Sequence, residues 1–227
     1  MANPLLQQYI KLTEFLGYAL GPDYEVALHD LTDQNKSIIA IANNHISGRQ
    51  VGAPMTNVGL QTLKDKSYKT EDYRLHYRGV SVQGKMLRSS TMFIKDGAEL
   101  IGMLCINFDD SRYRAIGKKI IDLCHPNDFL ERFFPVDTSF ERDGFSVPES
   151  FHNSIDAVAA DAITRELQQR GITANRLTAE ERMEIIMALE TSGIFLLKGA
   201  VNDVAEALHC SKASVYRYLS QVKGEDS

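Results

Sequence analysis

The sequence contains no tryptophan, few cysteines and no apolar run long enough to cross a membrane. A spanning helix needs about 18 or more consecutive apolar residues, so no transmembrane segment is predicted. The first residues also lack the basic stretch and apolar run of a secretory signal. Cysteines stand only at positions 105, 124 and 210, an odd and scattered set that is typical of a reducing compartment. We therefore expect a cytoplasmic protein that does not contact membranes.

An excess of basic charge is missing as well. The chain has 25 lysines and arginines against 30 aspartates and glutamates, a formal net charge of −5 over 227 residues. Proteins that hold DNA mainly by neutralising phosphates are basic overall or carry a concentrated basic face. Binding to nucleic acid must therefore rest on a local feature of this sequence. The apolar fraction of 44% and the charged fraction of 24% are ordinary for a globular protein.

The first half of the chain alternates between strand-like and helix-like patterns. Helical spacing of apolar residues is found at 3–20, 56–66 and 111–123. Strand-like runs lie at 24–30, 37–43, 73–82, 85–95 and 99–109. The last two runs are joined by Asp96-Gly97, a turn dipeptide that indicates a hairpin. This order predicts an α+β fold with a PAS-like five-stranded antiparallel sheet and flanking helices, followed by an all-α helix-turn-helix domain.

Periodicity lapses in the middle of the chain. We interpret residues 133–153, which include two prolines and Gly144, as a linker between a sensory domain at 1–132 and a helical region at 154–227. After the linker, a narrow alanine-rich apolar stripe runs along one helix from Ile155 to Leu167. The stripe can pack inside the chain or against a second copy, and the pattern leaves both alternatives open.

Residues 177–223 carry the strongest functional pattern. Thr178 followed by Glu181 is the signature of a capping box at a helix start. In that helix the residues expected to face inward are Met183, Ile186, Met187 and Leu189. Two short helices then follow, joined by His209-Cys210, which predicts a helix-turn-helix. The alternative is an ordinary pair of packed helices with a surface arginine and tyrosine.

The second of these short helices presents a small, polar and basic surface. Residues 209–223 contain two lysines and Arg217 but no acidic residue. Advancing about 100° per residue from the inward-facing Val215 separates an outer face from the core. The residues on or beside that face, or in the first turn, are our candidate DNA contacts: Ser211, Lys212, Ala213, Ser214, Tyr216, Arg217 and Ser220. We predict that a homodimer reads double-stranded DNA, because paired helix-turn-helix units gain specificity from half-sites about 34 Å apart.

Polar residues also interrupt the apolar strands of the first domain. Buried polar side chains need internal partners, and a sensing pocket uses such groups to orient a small ligand. The alternative for each residue is a solvent-facing position or a satisfied hydrogen bond in the core. The candidate ligand contacts are His29, Asn43, His45, Arg49, Thr56, Arg88, Ser90 and Asn107. Arg49 and Arg88 could each form a bidentate pair with a ligand carboxylate.

Patterns for catalysis, metals and cofactors are weak. Asp109 and Asp110 are neighbours whose side chains point apart, so they are not a ready acid/base pair. No set of ligands at zinc spacing is found, and nothing identifies a haem ligand or a flavin pocket. Cys105 lies in an apolar strand, where inert burial is commoner than redox sensing. We predict no catalytic residue, no metal and no enzymatic activity, and we assign no cofactor.

Two resemblances extend these interpretations. Residues 200–221, AVNDVAEALHCSKASVYRYLSQ, are similar to the helix-turn-helix of many bacterial regulators. The first half resembles the YheO-like PAS family of transcriptional regulators at residues 26–31, 42–49, 52–56, 88–91 and 101–109. The resemblance implies a DNA-binding regulator with a sensory PAS domain. The alternative is a small-molecule-binding PAS-type protein, with or without an enzymatic activity, whose C-terminal helices only dimerise.

Overall fold

A computed structural model of the chain describes residues 4–124 and 148–223. The strands are β1 Tyr24–Asp30, β2 Ile38–Ala42, β3 Tyr73–Val80, β4 Met86–Asp96, β5 Glu99–Phe108 and β6 Glu149–Ser150. The helices are α1 Pro4–Leu20, α2 Asn57–Asp65, α3 Ser111–Cys124, α4 Ile155–Arg170, α5 Ala179–Thr191, α6 Ala200–Ala207 and α7 Lys212–Lys223. Among the helices of these two ranges, none combines the length and apolar character that crossing a bilayer requires.

The strands form one sheet in the order β2-β1-β5-β4-β3-β6. The first five strands pair antiparallel, which confirms the predicted PAS-like α+β fold. The sixth strand was not predicted: β6 pairs parallel with β3 at the edge of the sheet, within the segment interpreted as a linker. Two residues are too short for any alternation to reveal a strand. The predicted boundary at residues 132–133 lies outside the described residues.

Strand β1, which lies inside the sheet between β2 and β5, is buried on both faces, and its alternating side chains enter different environments. Val26 and Leu28 pack with Leu6 of α1 on one face. Ala27 and His29 point to the opposite face, because successive side chains of a strand alternate. The apolar face therefore anchors α1, and the other face carries a polar cluster that is described below.

The helical region has an apolar interior of its own. Val158, Ala162 and Ile163 of α4 belong to the same core cluster as Val204 of α6 and Val215 of α7. The alanine-rich stripe therefore packs inside the chain, which decides between the two alternatives for it.

Helix α5 begins and packs largely as its sequence predicts. Both hydrogen bonds of the capping box between Thr178 and Glu181 are present. Ile186 and Leu189 are buried as expected, but the prediction for Met187 was wrong, since its side chain is 43% exposed. Ile185 is buried instead, and at about 100° per residue it lies beside Leu189 and about 200° around the helix axis from Met187.

The helical region docks on the sheet domain through α2 and the loop before β2. Asn35 Nδ2 donates to the Lys198 carbonyl at 3.2 Å, and Asn35 Oδ1 accepts from the Lys198 amide at 3.0 Å. Lys64 of α2 forms an ion pair with Glu190 of α5. Gly193 has φ +80°, and a Cβ there would come within 2.6 Å of a backbone oxygen of α2, so only glycine allows this close approach.

Candidate functional sites

The turn between α6 and α7 is fixed by short-range hydrogen bonds. His209 adopts a left-handed conformation with φ +49°, which reverses the chain after α6. The Cys210 amide donates to the Ala205 carbonyl at 2.9 Å. Ser211 Oγ accepts from the Ser214 amide at 3.1 Å and so caps α7. These bonds set the angle at which α7 leaves α6.

Helix α7 divides sharply into a buried face and an outer face. Val215, Tyr218 and Leu219 are buried against α5 and α6. Arg217 lies on the outer face, with its guanidinium carbon 5.2 Å from the centre of the Tyr218 ring. All seven candidate DNA contacts are accessible: Ser211, Lys212, Ala213, Tyr216 and Arg217 are exposed, and Ser214 and Ser220 are partly exposed. The sheet domain therefore does not cover the surface that a DNA groove would meet.

A row of polar residues occupies the face of the sheet opposite α1. Of the eight candidate ligand contacts, four are buried on or beside this face: His29, Arg49, Thr56 and Asn107. The strand register places Asn107 beside Glu25 of β1 and beside Ser89 of β4. We call the buried polar residues of this face and its cover the polar cluster; they are Glu25, His29, Arg49, Thr56, Tyr77, Ser89, Thr91, Asn107 and Glu149.

Hydrogen bonds connect one end of the polar cluster around Glu25. Its carboxylate accepts from the Ser47 amide at 3.1 Å and from the Ser47 hydroxyl at 2.6 Å. The second carboxylate oxygen accepts from Asn107 Nδ2 at 2.8 Å. His29 Nδ1 lies 2.9 Å from the Ser37 hydroxyl. The three bonds to Glu25 stabilise a buried carboxylate that would otherwise be costly.

At the other end, the cluster joins the sheet to α2 and β6. The Thr56 hydroxyl, which also caps α2, donates to Glu149 Oε1 at 2.8 Å. The Tyr77 hydroxyl is 2.7 Å from Thr91 Oγ1, which is 3.2 Å from the sulfur of Cys105. Residues from five separate segments therefore meet at one place.

Burial shifts the protonation equilibria of this cluster. Desolvation, aided by the positive charge of Arg49, lowers the pKa of His29 to about 3, so its imidazole is neutral. Desolvation raises the pKa of Glu149, against the opposing effects of the Thr56 hydrogen bond and Arg49. Burial also raises the pKa of Cys105 to about 12, which leaves a protonated and unreactive thiol.

Several buried polar atoms of the cluster lack a hydrogen-bond partner among the described residues. They are Arg49 Nε, Ser89 Oγ, Asn107 Oδ1 and Glu149 Oε2. Leaving such an atom unpaired costs about 1–3 kcal/mol, so these atoms are candidates for contacts with a bound molecule. The adjoining cavity, lined by His29, Thr56, Tyr77 and Glu149 among others, is only about 10 Å³. That volume holds about one water molecule, so a larger ligand requires a side chain to move.

The other four candidate ligand contacts lie elsewhere. Asn43 Nδ2 donates to the carbonyls of Gly17, Gly21 and Tyr24, and so ties the end of α1 to β1. His45 is exposed, with Nε2 3.0 Å from the Pro22 carbonyl.

Arg88 and Ser90 both lie on β4. Arg88 is exposed with its guanidinium over the Phe108 ring at 4.9 Å. Ser90 Oγ accepts from the His76 amide at 3.1 Å. The structure therefore brings four of the eight residues together, and Arg49 is the one arginine among those four.

Sequence reasoning did not single out Glu25, Tyr77 or Glu149. In β1, Glu25 looks like a solvent-facing residue of an alternating strand, and Glu149 stands in a segment without periodicity. The one available signal was the rarity of buried carboxylates, and burial could not be inferred before the sheet order was known.

Comparison with known proteins agrees with this architecture. Residues 1–125 match the family profile of the YheO-like PAS domain, and residues 158–220 match that of a helix-turn-helix domain. YheO of Escherichia coli K12, described as uncharacterized, is 28% identical over 224 residues, which cover 98% of this chain and 86% of YheO.

Two further relatives align over comparable lengths. An uncharacterized protein of Haemophilus influenzae is 29% identical over 225 residues, which cover 97% of this chain and 92% of that protein. The transcriptional regulator DauR of Pseudomonas aeruginosa is 29% identical over 226 residues, which cover 97% of this chain and 96% of DauR. With a matching profile over more than half of its length, this chain belongs to the YheO-like PAS domain family.

Proposed function

We propose that this protein is a DNA-binding transcription regulator in which the polar cluster senses a small molecule and modulates operator binding. The observation that carries the proposal is the free outer face of α7, with Arg217 accessible at its centre. The match to a helix-turn-helix domain supports it, as does the similarity to a relative named as a transcriptional regulator. No step of this function needs a catalytic residue.

DNA contact divides into two roles along α7. Ser211 and Lys212 stand at its N-terminal turn, where backbone amides and a cation can meet phosphates and fix the register. Arg217, half a helix further on, can reach the O6 and N7 atoms of a guanine in the major groove. A homodimer would present two such helices to a pair of half-sites. Because the whole chain is acidic, this local surface has to provide the affinity.

Sensing would use the unpartnered atoms of the polar cluster. Arg49 Nε can donate to an oxygen of a ligand carboxylate. Helix α2 connects this site to the helical region: Thr56 at its start contacts the cluster, and Lys64 near its end pairs with Glu190 of α5. A ligand alters DNA binding only if it favours one arrangement of these elements over another. The double hydrogen bond between Asn35 and Lys198 is a second connection that such a change would strain.

The test is a gel-shift assay with genomic DNA fragments that compares wild type, Arg217→Ala and Arg114→Ala. We expect wild type to select a subset of fragments, and Arg217→Ala to bind them about 5- to 150-fold more weakly with reduced selectivity, because one base contact contributes about 1–3 kcal/mol. Arg114→Ala is the matched control, since Arg114 lies on α3 of the sheet domain and pairs with Asp110. Selective binding that survives in Arg217→Ala would contradict the proposed reading helix.

The second candidate function is a small-molecule-binding protein whose C-terminal helices only dimerise. The observation that favours it is the buried polar cluster, which does not require DNA for its explanation. In the same assay this function predicts equal or absent DNA binding for all three proteins. Sedimentation analysis would then still show a dimer.

A further inference from the structure

We propose that the Glu149 side chain occupies, as a tethered substitute, the place of a ligand carboxylate beside Arg49, and that a small monocarboxylate displaces it together with β6. This inference rests on the proposed ligand-sensing function and names both the chemical class of the ligand and the residue it replaces. The sensory site is therefore closed by the very segment that leads to the DNA-binding helices.

The segment that carries Glu149 is attached to the sheet by few bonds. β6 consists of only two residues and pairs parallel with Gly79 and Val80 at the sheet edge. Asn57 holds it from the other side, since its amide group donates to the Pro148 carbonyl at 3.1 Å and accepts from the Ser150 amide at 2.7 Å. The Phe151 amide adds one further bond, to the Val80 carbonyl at 3.3 Å. A two-residue strand at a sheet edge opens at lower free-energy cost than a strand inside the sheet.

The charges around Arg49 are incompletely paired. Arg49 and Glu149 are both buried and attract each other, yet no carboxylate lies within ion-pair distance of Arg49 in the described ranges. The guanidinium instead donates to the Pro54 carbonyl and stands 5.8 Å from the centre of the Phe151 ring. Arg49 Nε and Glu149 Oε2 both lack a hydrogen bond of good geometry, although the Ser89 and Tyr77 hydroxyls lie close enough to lower the pKa of Glu149 against the effect of burial. A free carboxylate, unlike the tethered one, can approach the guanidinium face to face and form a bidentate pair.

Exchange of one carboxylate for another conserves the buried charge. Burial raises the pKa of Glu149, which means that the ionised side chain is less stable in the buried site than in water. Its return to water is therefore favourable. A ligand carboxylate that pairs directly with Arg49 recovers the favourable interaction that Glu149 makes only at a distance. The exchange is therefore balanced in charge and improved in geometry.

The size and lining of the cavity define the rest of the ligand. At about 10 Å³ the space beside Glu149 admits no ligand while that side chain is in place. The other walls combine the apolar Met55, Phe93 and Met103 with polar residues that include Thr62, Arg74 and Thr91. A short remainder attached to one carboxylate fits these walls after Glu149 has left.

Displacement of β6 would reach the DNA-binding helices by a short route. Phe151 follows β6 and is buried beside Ile46 and Leu87, so it moves with the strand. Three residues later, Ser154 caps the start of α4. Helix α4 packs against α6, the first helix of the helix-turn-helix. A change at Glu149 thus reaches α4 through six residues, and α4 contacts α6, on which α7 packs.

The test uses propionate as a stand-in for the missing carboxylate. Glu149→Ala removes the tethered group and opens a hole beside Arg49, whereas Glu149→Gln removes the charge but fills the same volume. At roughly 50 mM sodium propionate, compared with equal sodium chloride, we expect the melting temperature of Glu149→Ala to rise by about 3–5 °C. Wild type should shift less than Glu149→Ala, because propionate must first displace Glu149 there. Glu149→Gln should shift by less than about 1 °C, and the neutral isostere propionamide should have no effect on any of the three proteins.

Hydrogen exchange measures the effect of the same variants and of propionate on the β6 segment itself. Amides of residues 149–153 should exchange at least about tenfold faster in Glu149→Ala than in wild type, and propionate should restore their protection. Equal propionate shifts in all three proteins, or no shift in Glu149→Ala, would overturn the inference. If Glu149→Ala does not fold in chloride, its soluble yield on refolding in propionate against propionamide gives the same answer: a higher yield in propionate supports the inference, and equal yields overturn it.

None of these measurements involves DNA, so the two proposals fail separately. If wild type selects DNA fragments through Arg217 but propionate does not stabilise Glu149→Ala, the regulator proposal is supported and the tethered-carboxylate proposal is contradicted. If propionate stabilises Glu149→Ala but wild type does not select DNA fragments, the ligand site is supported and the regulator proposal is contradicted.

Discussion

The sheet domain and the helical region place their polar residues in opposite ways. In the sheet domain and its sixth strand, the charged residues Glu25, Arg49 and Glu149 are almost fully buried. Among the described residues from 155 to 221, only Glu190 is a buried charged residue, and it pairs with Lys64 of the sheet domain. The helical region has an apolar interior and carries its polar residues outside, on α7.

This difference indicates where each domain would meet its ligand. Burial of charge lowers stability unless partners compensate it, so a buried polar cluster with unpartnered atoms is not explained by folding alone. An apolar core with a polar outer face is what folding alone produces. The sheet domain is therefore expected to bind a molecule inside, and the helical region to bind one on its surface.

The largest effect should come from removal of the buried cation of the sheet domain. Arg49→Met leaves Glu25 and Glu149 without their shared positive charge, and we expect the free energy of unfolding to fall by about 3–5 kcal/mol. Urea denaturation of the purified proteins measures this change. The matched control is Arg170→Met in α4, where a partly exposed arginine pairs with Glu166 four residues earlier, and where we expect a loss below about 1 kcal/mol. Equal losses in both variants would erase the contrast between the domains.

A somewhat smaller effect should appear in the apolar core of the helical region. Ile186→Ala removes a fully buried side chain of α5 and should lower the free energy of unfolding by about 3 kcal/mol, through lost burial and a residual cavity. Its neighbour Met187 is 43% exposed, and Met187→Ala should change stability by less than about 0.5 kcal/mol. A large cost at Met187 would mean that this face of α5 is covered in solution, for example by a second copy.

The smallest effect concerns the pH dependence of the polar cluster. The pKa of His29 is lowered to about 3 in the folded protein, from an ordinary value of 6.5, so unfolding is accompanied by proton uptake between these two pH values. The stability contributed by neutral His29 is thus present above pH 6.5 and is lost as the pH falls towards 3. Between pH 6.5 and 5.5 we expect wild type to lose about 1 kcal/mol more than His29→Gln, which retains a partner for the Ser37 hydroxyl. Parallel pH profiles of the two proteins would show that His29 is open to solvent.

Much of the helical region could be predicted because its determinants are close together in the sequence. The capping box joins Thr178 to Glu181, three residues apart, and the Ser211 cap of α7 has the same spacing. Exposure of Arg217 follows from helical geometry once Val215 is placed inside. Met187 was predicted to face inward but is exposed. Periodicity identifies an apolar face of a helix, but it does not show which part of that face a neighbouring helix covers.

The ligand candidates in the sheet domain could be predicted only in part. Polarity within an apolar strand selected His29 and Asn107, which are buried in the cluster, but it also selected Ser90, which lies on the opposite face of the sheet beside Ile106. Polarity alone does not separate the two faces of a strand until the sheet order is known.

By itself, the sequence determined the type and order of the main elements, the helix-turn-helix and the outer face of its second helix, because side chains three or four residues apart decide each of these. The tertiary structure alone decided the polar cluster. Thr56 and Glu149 are 93 residues apart and Glu25 and Asn107 are 82 apart, and only the pairing of the strands brings them together. Burial, and with it the altered pKa values of His29 and Glu149, is created by that assembly and is encoded in no short stretch of the chain.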